Sequence, residues 1–182
     1  MKQKDKKSIN NAPVQRLTKK LSNRLNQVEA EIKKNIKDQE GLITITAGHL
    51  INAPGKKLRP LLTLLISRML KYRGNSDINL AVCIEFIHNA TLLHDDVIDE
   101  GKVRRGKVSA NQIWGNKISV LVGDYLLSKA FKLMVKNKSL KLLEILSETS
   151  LILARGQIQD VNNFQNIHLS ENKYLKIINA KT

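Results

Sequence analysis

The chain has 182 residues, of which 42% are hydrophobic and only 3 are proline, and its formal net charge is +15. A chain of this length can bury a core, and so few helix-breaking residues predict long helices. The single cysteine, Cys83, excludes an internal disulfide framework and a cysteine-rich zinc site, and no apolar segment is long enough to span a bilayer.

The N-terminal region is strongly basic, with eleven Lys or Arg against four acids in residues 1–38. Residues 1–13 are expected to form a flexible basic tail, which lacks the apolar core of a signal peptide and indicates a cytoplasmic protein. From Val14 to Ile36, apolar residues recur in steps of three and four, which predicts an amphipathic helix of about six turns. That helix would dock on a helical bundle or form a coiled-coil seam. Without interleaved aromatic residues, the lysines predict no nucleic-acid binding and at most peripheral membrane contact.

The next segments alternate helical patterns with turns. "GLITITAGHLINAPG" is ambiguous between strand and helix, but its neighbours favour a short helix. After the loop "APGKKLRP", Pro60 suits the first turn of a helix over "LLTLLISRMLKY". "GNSD" is a turn, and Ser76 or Asp77 is a candidate cap for a helix from about Ile78 to Glu100. This helix is apolar on almost every side before Asp95, which predicts a central position.

The remaining sequence predicts a basic loop and three helices. "GKVRRGK" is expected to be a mobile loop, followed by helices over 118–135 and 139–161. A last helix is expected from a Ser170 cap to the end of the chain. No strand ladder is predicted. The expected fold class is therefore all-α, with Cys83 as a buried core thiol.

An acidic cluster lies in "NATLLHDDVIDEGKVRRGK", residues 89–107, where Asp95, Asp96 and Asp99 occupy three of five positions. On a helix, Asp95 and Asp99 project from one face, one turn apart. Like charges repel, so the cluster costs stability unless a cation or a hydrogen-bond network offsets it. Mg²⁺ accepts one or two carboxylates together with water and substrate phosphate, which fits this pattern. The alternative is a polar helix end that faces solvent.

Basic residues flank the acidic cluster on both sides. Arg104 and Arg105 follow it within one loop, and "GKKLRP" supplies Lys56, Lys57 and Arg59. Guanidinium and ammonium groups bind a diphosphate directly, whereas carboxylates bind it through bridging Mg²⁺. Anionic metal ligands and cationic side chains are therefore expected together around a polyanion. Taken alone, "GKKLRP" is equally compatible with a solvated basic loop.

Three stretches carry a resemblance to a known family: "GKKLRP", "EFIHNATLLHDDVIDEGKVRRGK" and "NKISVLVGDYLLSKAF". In this order and spacing the chain, from about residue 50 to its end, resembles the trans-type polyprenyl diphosphate synthases, particularly the long-chain octaprenyl enzymes. The resemblance implies an all-α isoprenoid-synthase bundle with a deep central cavity. It also implies Mg²⁺-dependent head-to-tail condensation of isopentenyl diphosphate with an allylic diphosphate. The implied partner is a second copy in a homodimer, or a complementing C-terminal half.

The resemblance assigns a role to each matching residue. Asp95 and Asp99 correspond to the Mg²⁺ ligands that hold the allylic diphosphate, with Asp96 supporting them. Arg104 corresponds to the arginine that grips the allylic diphosphate. The implied pocket for isopentenyl diphosphate comprises Lys56, Arg59, His88 and Arg105.

Further residues are assigned on the later helices. Lys181 and Thr182 resemble a Lys-Thr pair that approaches the diphosphate, and Lys181 joins the three aspartates in the implied catalytic set. Gln157 and Asp160 fall where the family places polar cavity residues. Without the resemblance, His88 would be interpreted as a satisfied histidine of the core.

Product length is also partly predicted by the resemblance. Bulky aromatic residues about a turn before the first aspartate stop elongation early in this family, whereas this chain has the small Ala90 and Thr91. Met134 would form part of a deeper floor. We therefore expect a medium or long polyprenyl product, and replacing Ala90 with Phe should shorten it.

The sequence departs from the family at two places. Pro54 stands where the family usually has a glycine, and no second aspartate-rich motif occurs. Residues 14–182 are thus expected to be an incomplete, N-terminal part of the family fold, with little or no turnover by itself. The alternative is a catalytically silent truncated or split fragment that acts only as a partner or relic. A weaker alternative is a basic helical protein with no small-molecule role.

Overall fold

The computed structural model describes residues 12–53 and 57–181. Within these ranges the chain is almost entirely helical, which confirms the all-α class. The elements in chain order are α1 Ala12–Lys20, α2 Ser22–Ile36, α3 Leu42–Ile51, α4 Leu58–Met69, α5 Ser76–Ile98, β1 Val103–Arg104, β2 Lys107–Val108, α6 Ala110–Lys136, α7 Leu140–Asn162 and α8 Glu171–Lys181. The chain forms two compact units, Met1–Leu133 and Met134–Thr182, and each is described by itself.

The predicted six-turn helix is divided in two. Leu21 lies between α1 and α2 with φ −110° and ψ 10°, which is outside the helical region. The apolar stripe is nevertheless buried, including Leu25, Val28 and Ile32. Because α2 packs against α3, α4 and α5, the stripe serves a bundle and not a coiled-coil seam. The helix begins at Ala12, so two residues of the predicted tail are helical, and residues 1–11 lie outside the described ranges.

Helix α5 occupies the core of the first unit, as its apolar sequence predicts. Phe86, Leu93 and Cys83 are fully buried, and the Cys83 thiol donates a hydrogen bond to Ala130 O at 3.0 Å. The predicted cap is wrong, because α5 begins after Asn75 with no side-chain capping bond. Asp77 instead forms a largely buried ion pair with Arg24 of α2, and the two helices are joined there.

The "GKVRRGK" segment forms a small antiparallel hairpin, in which Val103 pairs with Val108 and Arg104 with Lys107. The prediction of a loop without strands is therefore wrong. The turn residues Arg105 and Gly106 both have positive φ, 51° and 78°. A two-residue turn with this backbone follows the right-handed twist of the strands and closes a tight hairpin.

The later helices differ from the prediction mainly at their starts. Helix α6 begins at Ala110 instead of near residue 118, and Gly115 interrupts it with φ 82° and ψ 162°. In the second unit, Ser139 caps α7 by accepting a hydrogen bond from Leu142 N at 3.2 Å. Helices α7 and α8 pack closely at Gly156. Helix α8 begins directly after Ser170, as predicted.

Candidate functional site

A cluster of cations surrounds His88 on α5. The Arg105 guanidinium, at the turn of the hairpin, lies 3.4 Å from His88 Nε2. Burial of the ring, followed by the positive charges of Arg59, Arg105 and Arg104, lowers the pKa of His88 from 6.5 to about 4. His88 is therefore neutral near pH 7, and its Nε2 accepts a hydrogen bond from Arg105. An anion bound here would be attracted by several guanidinium groups at once.

The three aspartates of the cluster do not share one environment. Asp99 is exposed at the end of α5, and Asp95 is partly buried. The Asp99 N–H donates to Asp95 O at 2.8 Å, so the two residues are one helical turn apart. Asp96, by contrast, is only 1% exposed.

The donor set of Asp95 and Asp99 fits a hard cation. Among the described residues, no group of three or more His, Cys, Asp or Glu side chains is arranged to hold a metal ion. Two carboxylates one turn apart match Mg²⁺, which takes one or two carboxylates and completes its shell with water and phosphate oxygens. The pair is thus suited to a metal that arrives with a phosphorylated ligand.

Asp96 lies in a buried hydrogen-bond network. Its Oδ1 accepts from Arg104 Nε at 2.8 Å and from Arg104 Nη2 at 2.5 Å. Its backbone O accepts from Asn111 Nδ2 and from Gly101 N, both at 2.8 Å. The sequence interpretation did not select Asn111, although polar residues just before an apolar helix commonly bond to nearby backbone groups.

A second contact involves His94, which immediately precedes the aspartates. His94 Nε2 lies 3.1 Å from Val120 O and 3.4 Å from Asp124 Oδ1 of α6. A Cβ atom at Gly123 would lie 2.2 Å from the same Nε2, so the ring approaches because residue 123 is glycine. The stretch "LVGDYLL" was part of the quoted motif, but its contact with His94 was not anticipated.

The predicted chain-length residues occupy different environments. Ala90 is fully buried, whereas Thr91 is half-buried and its Oγ1 donates to His88 O at 2.8 Å. Met134 is buried in the second unit. The roles of these residues remain predictions.

The remaining predicted residues lie at the edges of the description or in the second unit. Lys56 and Thr182 fall outside the described residues, while Lys57 pairs with Glu29 at 2.5 Å. In the second unit, Lys181 Nζ lies 2.5 Å from Asp160 Oδ2. Gln157 has a buried Nε2 atom with no hydrogen-bond partner, so it retains a donor for a ligand.

Known proteins of one family are similar to this chain. The sequence profile of the family described as Polyprenyl synthetase matches residues 40–182. The octaprenyl diphosphate synthase of Escherichia coli is 40% identical over 155 residues, covering 85% of this chain and 48% of that protein. Component 2 of the Bacillus subtilis heptaprenyl diphosphate synthase is 33% identical over 162 residues, covering 89% and 47%.

Solved structures of polyprenyl synthases are also similar to this chain. A polyprenyl synthase from Caulobacter crescentus, complexed with calcium and isoprenyl diphosphate, has a TM-score of 0.89 and 43% identity over 93% of this chain and 52% of that one. A decaprenyl diphosphate synthase from Rhodobacter capsulatus has a TM-score of 0.90 and 42% identity, covering 93% and 53%. The chain thus spans about half the length of the relatives it matches. Within the described ranges, no helix has both the length and the apolar character needed to cross a bilayer.

Proposed function

The chain belongs to the polyprenyl synthetase family, and on that basis we propose that it acts as a prenyltransferase of isoprenoid biosynthesis. The proposed reaction is head-to-tail condensation of isopentenyl diphosphate with an allylic diphosphate. The observation that supports it best is the contact of Arg105 with a neutral His88, whose pKa is also lowered by the positive charges of Arg59 and Arg104. Such a concentration of guanidinium charge beside a half-buried ring suits a diphosphate.

In this proposal the cations around His88 bind isopentenyl diphosphate. Arg59 and Arg105 supply planar N–H donors. Lys56, which lies outside the described residues, is proposed to add a further positive charge. The neutral imidazole donates from a ring nitrogen to a phosphate oxygen without adding another positive charge to the cluster. Binding of the anion would also raise the pKa of His88, since it offsets the positive field that lowers it.

The allylic diphosphate is proposed to bind at the acidic pair. Asp95 and Asp99 would hold Mg²⁺, and Arg104 would contact the diphosphate. The roles of Lys181, Thr182 and Gln157 stay predictions. When bound, Mg²⁺ neutralises developing charge on the leaving diphosphate. The calcium and isoprenyl diphosphate in the Caulobacter relative are consistent with a divalent cation and a diphosphate binding together.

The proposed chemistry then depends on charge stabilisation and on the exclusion of water. The cationic side chains stabilise the diphosphate as the allylic carbon–oxygen bond ionises. The double bond of isopentenyl diphosphate attacks the allylic cation, and a proton is lost to the released pyrophosphate. Apolar side chains of α5 and α6 would keep water from the cation.

Product length is proposed to be medium or long because Ala90 and Thr91 leave room for a growing chain. Since Ala90 is fully buried, a Phe there would overpack the core as well as block elongation. Thr91→Phe is therefore the sharper test, because residue 91 is only half-buried. We expect shorter prenyl products from an active preparation of this variant, measured by chromatography of the dephosphorylated alcohols, with Thr91→Val as the control. Unchanged product length would contradict the role of residue 91.

A second candidate function is that of a partner subunit without turnover of its own. The Bacillus subtilis relative is named as a component of its synthase, and this chain spans about half of that relative. Large apolar side chains are also exposed, including Leu140 at 84% and Leu175 at 52% in the second unit. Exposed apolar surface of this kind suits contact with another polypeptide, either a second copy or a complementing chain.

Radiolabelled isopentenyl diphosphate, farnesyl diphosphate and Mg²⁺ provide the decisive assay. Label transferred to longer prenyl diphosphates would support the prenyltransferase proposal. Mg²⁺-dependent binding of both substrates without transfer, measured by calorimetry, would favour the partner role. The variants Arg105→Gln and Asp99→Asn should weaken binding of the isopentenyl and allylic substrates, respectively. If the unaltered chain binds neither diphosphate, the prenyltransferase proposal is wrong.

A further inference from the structure

The carboxylate of Asp96 is directed into the protein and towards the hairpin. We propose that Asp96 is a positioning residue: through Arg104 it fixes the hairpin Val103–Val108 on the end of α5, and so sets Arg105 against His88. The anchoring is independent of the proposed function, whereas its effect on diphosphate binding rests on that function. In this role Asp96 differs from its neighbours Asp95 and Asp99.

The first support is the geometry of the ion pair. Two N–H groups of Arg104 converge on one carboxylate oxygen of Asp96, at 2.8 and 2.5 Å. The Asp96 side chain is 2% exposed and that of Arg104 is 32% exposed. A carboxylate this deeply buried depends on its partner, and the loss of either charge leaves the other poorly compensated. The pair therefore favours one position of the hairpin strand that carries Arg104.

The second support is that the hairpin has little stability of its own. Each strand has only two residues, and an isolated two-stranded hairpin is at best marginally stable in water. Its position must therefore come from contacts with the rest of the first unit. One such contact comes from α3, where His49 Nε2 lies 2.8 Å from Val108 O. The Asp96–Arg104 pair is the charged contact on the other strand.

The third support is the way in which both ends of the hairpin return to Asp96. Gly101 N donates to Asp96 O, and Ser109, at the other end, donates from its Oγ to Gly101 O at 2.5 Å. Asn111 Nδ2 also donates to Asp96 O. A Cβ atom at Gly101 would lie 3.1 Å from Asp96 Oδ1, which shows how closely the chain passes the carboxylate. Asp96 thus lies at the point where the hairpin leaves and rejoins the helices.

The consequence for the cation cluster follows from sequence adjacency. Arg105 directly follows Arg104 and has φ 51°, so the backbone at Arg104 determines the direction of the next side chain. Arg104 extends towards Asp96, and Arg105 extends towards His88. If Arg104 were released, Arg105 would be free to leave His88, and the guanidinium cluster would disperse.

Hydrogen exchange of the full chain tests the anchoring directly. We expect Asp96→Asn and Arg104→Gln each to raise the amide exchange rates of residues 101–109 by about tenfold, because each removes a charged hydrogen-bond pair. The double variant, which replaces two charges with two amides, should add little to either. Asp99→Asn is the matched control and should leave exchange in this segment unchanged. Wild-type exchange rates in both Arg104→Gln and the double variant would overturn the proposal, even if Asp96→Asn fails to fold.

Calorimetric titration with inorganic pyrophosphate separates positioning from metal ligation. A positioning role predicts that Asp96→Asn weakens binding by about tenfold both with and without Mg²⁺. A loss confined to the Mg²⁺ titration would identify Asp96 as a metal ligand and overturn the proposal. If the wild type binds no pyrophosphate but the variants loosen the hairpin, the proposed function fails and the positioning role stands.

Discussion

His88 is held neutral by its surroundings, since burial and three guanidinium groups oppose its protonation. In the folded chain its pKa is about 4, whereas in the unfolded chain it should be near 6.5. Between these values the unfolded state binds a proton that the folded state does not. The contribution of His88 to stability is therefore complete above pH 6.5 and declines as the pH falls towards 4.

His88→Gln should remove this pH dependence. Relative to the variant, the wild type should lose about 2 kcal/mol of unfolding free energy between pH 7 and pH 4, after allowance for solvent screening of a half-buried ring. Urea denaturation at several pH values measures the difference. The titration of other acidic groups affects both proteins equally and cancels in this comparison. If the unfolding free energies of the wild type and the variant change in parallel with pH, the pKa of His88 is not lowered by folding.

The sequence predicted the positions of some site residues better than those of others. The separation of Asp95 and Asp99 by one turn follows from helical spacing alone, and the structure places them so. The burial of Asp96 did not follow from spacing, because its partners Arg104 and Asn111 come from the hairpin and α6. Local sequence shows which face of a helix a residue occupies, but not which element covers that face.

Among the elements, the contact between α5 and α6 depends on small residues and buried polar groups. Ser119 Oγ donates to Leu93 O at 3.1 Å, and His94 approaches the α6 backbone one residue later. Gly123 admits the His94 ring. These contacts hold the part of α5 that precedes the aspartates, so a change in α6 should be transmitted to the acidic pair.

Gly123→Ala should displace the His94 ring and break its bond to Val120 O. The new Cβ would otherwise lie 2.2 Å from Nε2, but a side chain can rotate away, so we expect a moderate loss of about 1–3 kcal/mol. Thermal or urea unfolding measures it. Gly48→Ala is the control, since a Cβ there would meet only Asn52 Nδ2 at 3.5 Å. Equal stabilities of the two variants would contradict a close contact at residue 123.

Gly156→Ala tests the packing of α7 on α8 in the second unit. A Cβ at residue 156 would lie 2.9 Å from both Ala180 C and Lys181 N, which are backbone atoms and cannot rotate away. We therefore expect faster hydrogen exchange throughout α8 and a longer separation of Lys181 from Asp160. Unchanged exchange in α8 would show that the helices separate at little cost.

The helices themselves were predictable from their apolar residues, which recur periodically in α2 and occupy almost every side of α5. The hairpin was not, since "GKVRRGK" has no alternating apolar pattern and its order comes from Asp96, Ser109 and His49. The early start of α6 was missed for a related reason. Its first five residues, Ala110 to Trp114, are too few to show a helical pattern before the non-helical Gly115, so the pattern becomes visible only beyond that glycine.

For the molecule as a whole, the net charge of +15 bears on how a diphosphate would be recruited. Basic side chains spread over a protein raise the local concentration of anions, and this long-range attraction is screened by salt. A site that also makes direct charged hydrogen bonds to the anion should keep part of its affinity when the screening is strong. The two contributions can be separated by ionic strength.

Pyrophosphate affinity should fall as NaCl is raised and then level off. The initial fall reflects the general charge, and the residual affinity reflects direct hydrogen bonds from Arg105 and His88, which salt weakens less than the long-range attraction. Titration calorimetry at several salt concentrations measures both parts. Arg105→Gln should lower the residual affinity, whereas Lys19→Gln, an exposed change on α1, should affect only the salt-dependent part. A complete loss of binding at high salt would argue against a built site.

The interruption of α6 at Gly115 has one further consequence. Its φ of 82° and ψ of 162° lie in a region that is essentially restricted to glycine, so this residue fixes a kink between two helical segments. In the segment before the kink, the Trp114 ring lies edge-on to His49 at a centroid distance of 5.3 Å, and Asn111 donates a hydrogen bond to Asp96 O. In the segment beyond the kink, Ser119 and Gly123 contact Leu93 and His94 of α5. Any residue with a side chain at position 115 would strain this backbone, so the contacts of the two segments could not both be kept without distortion.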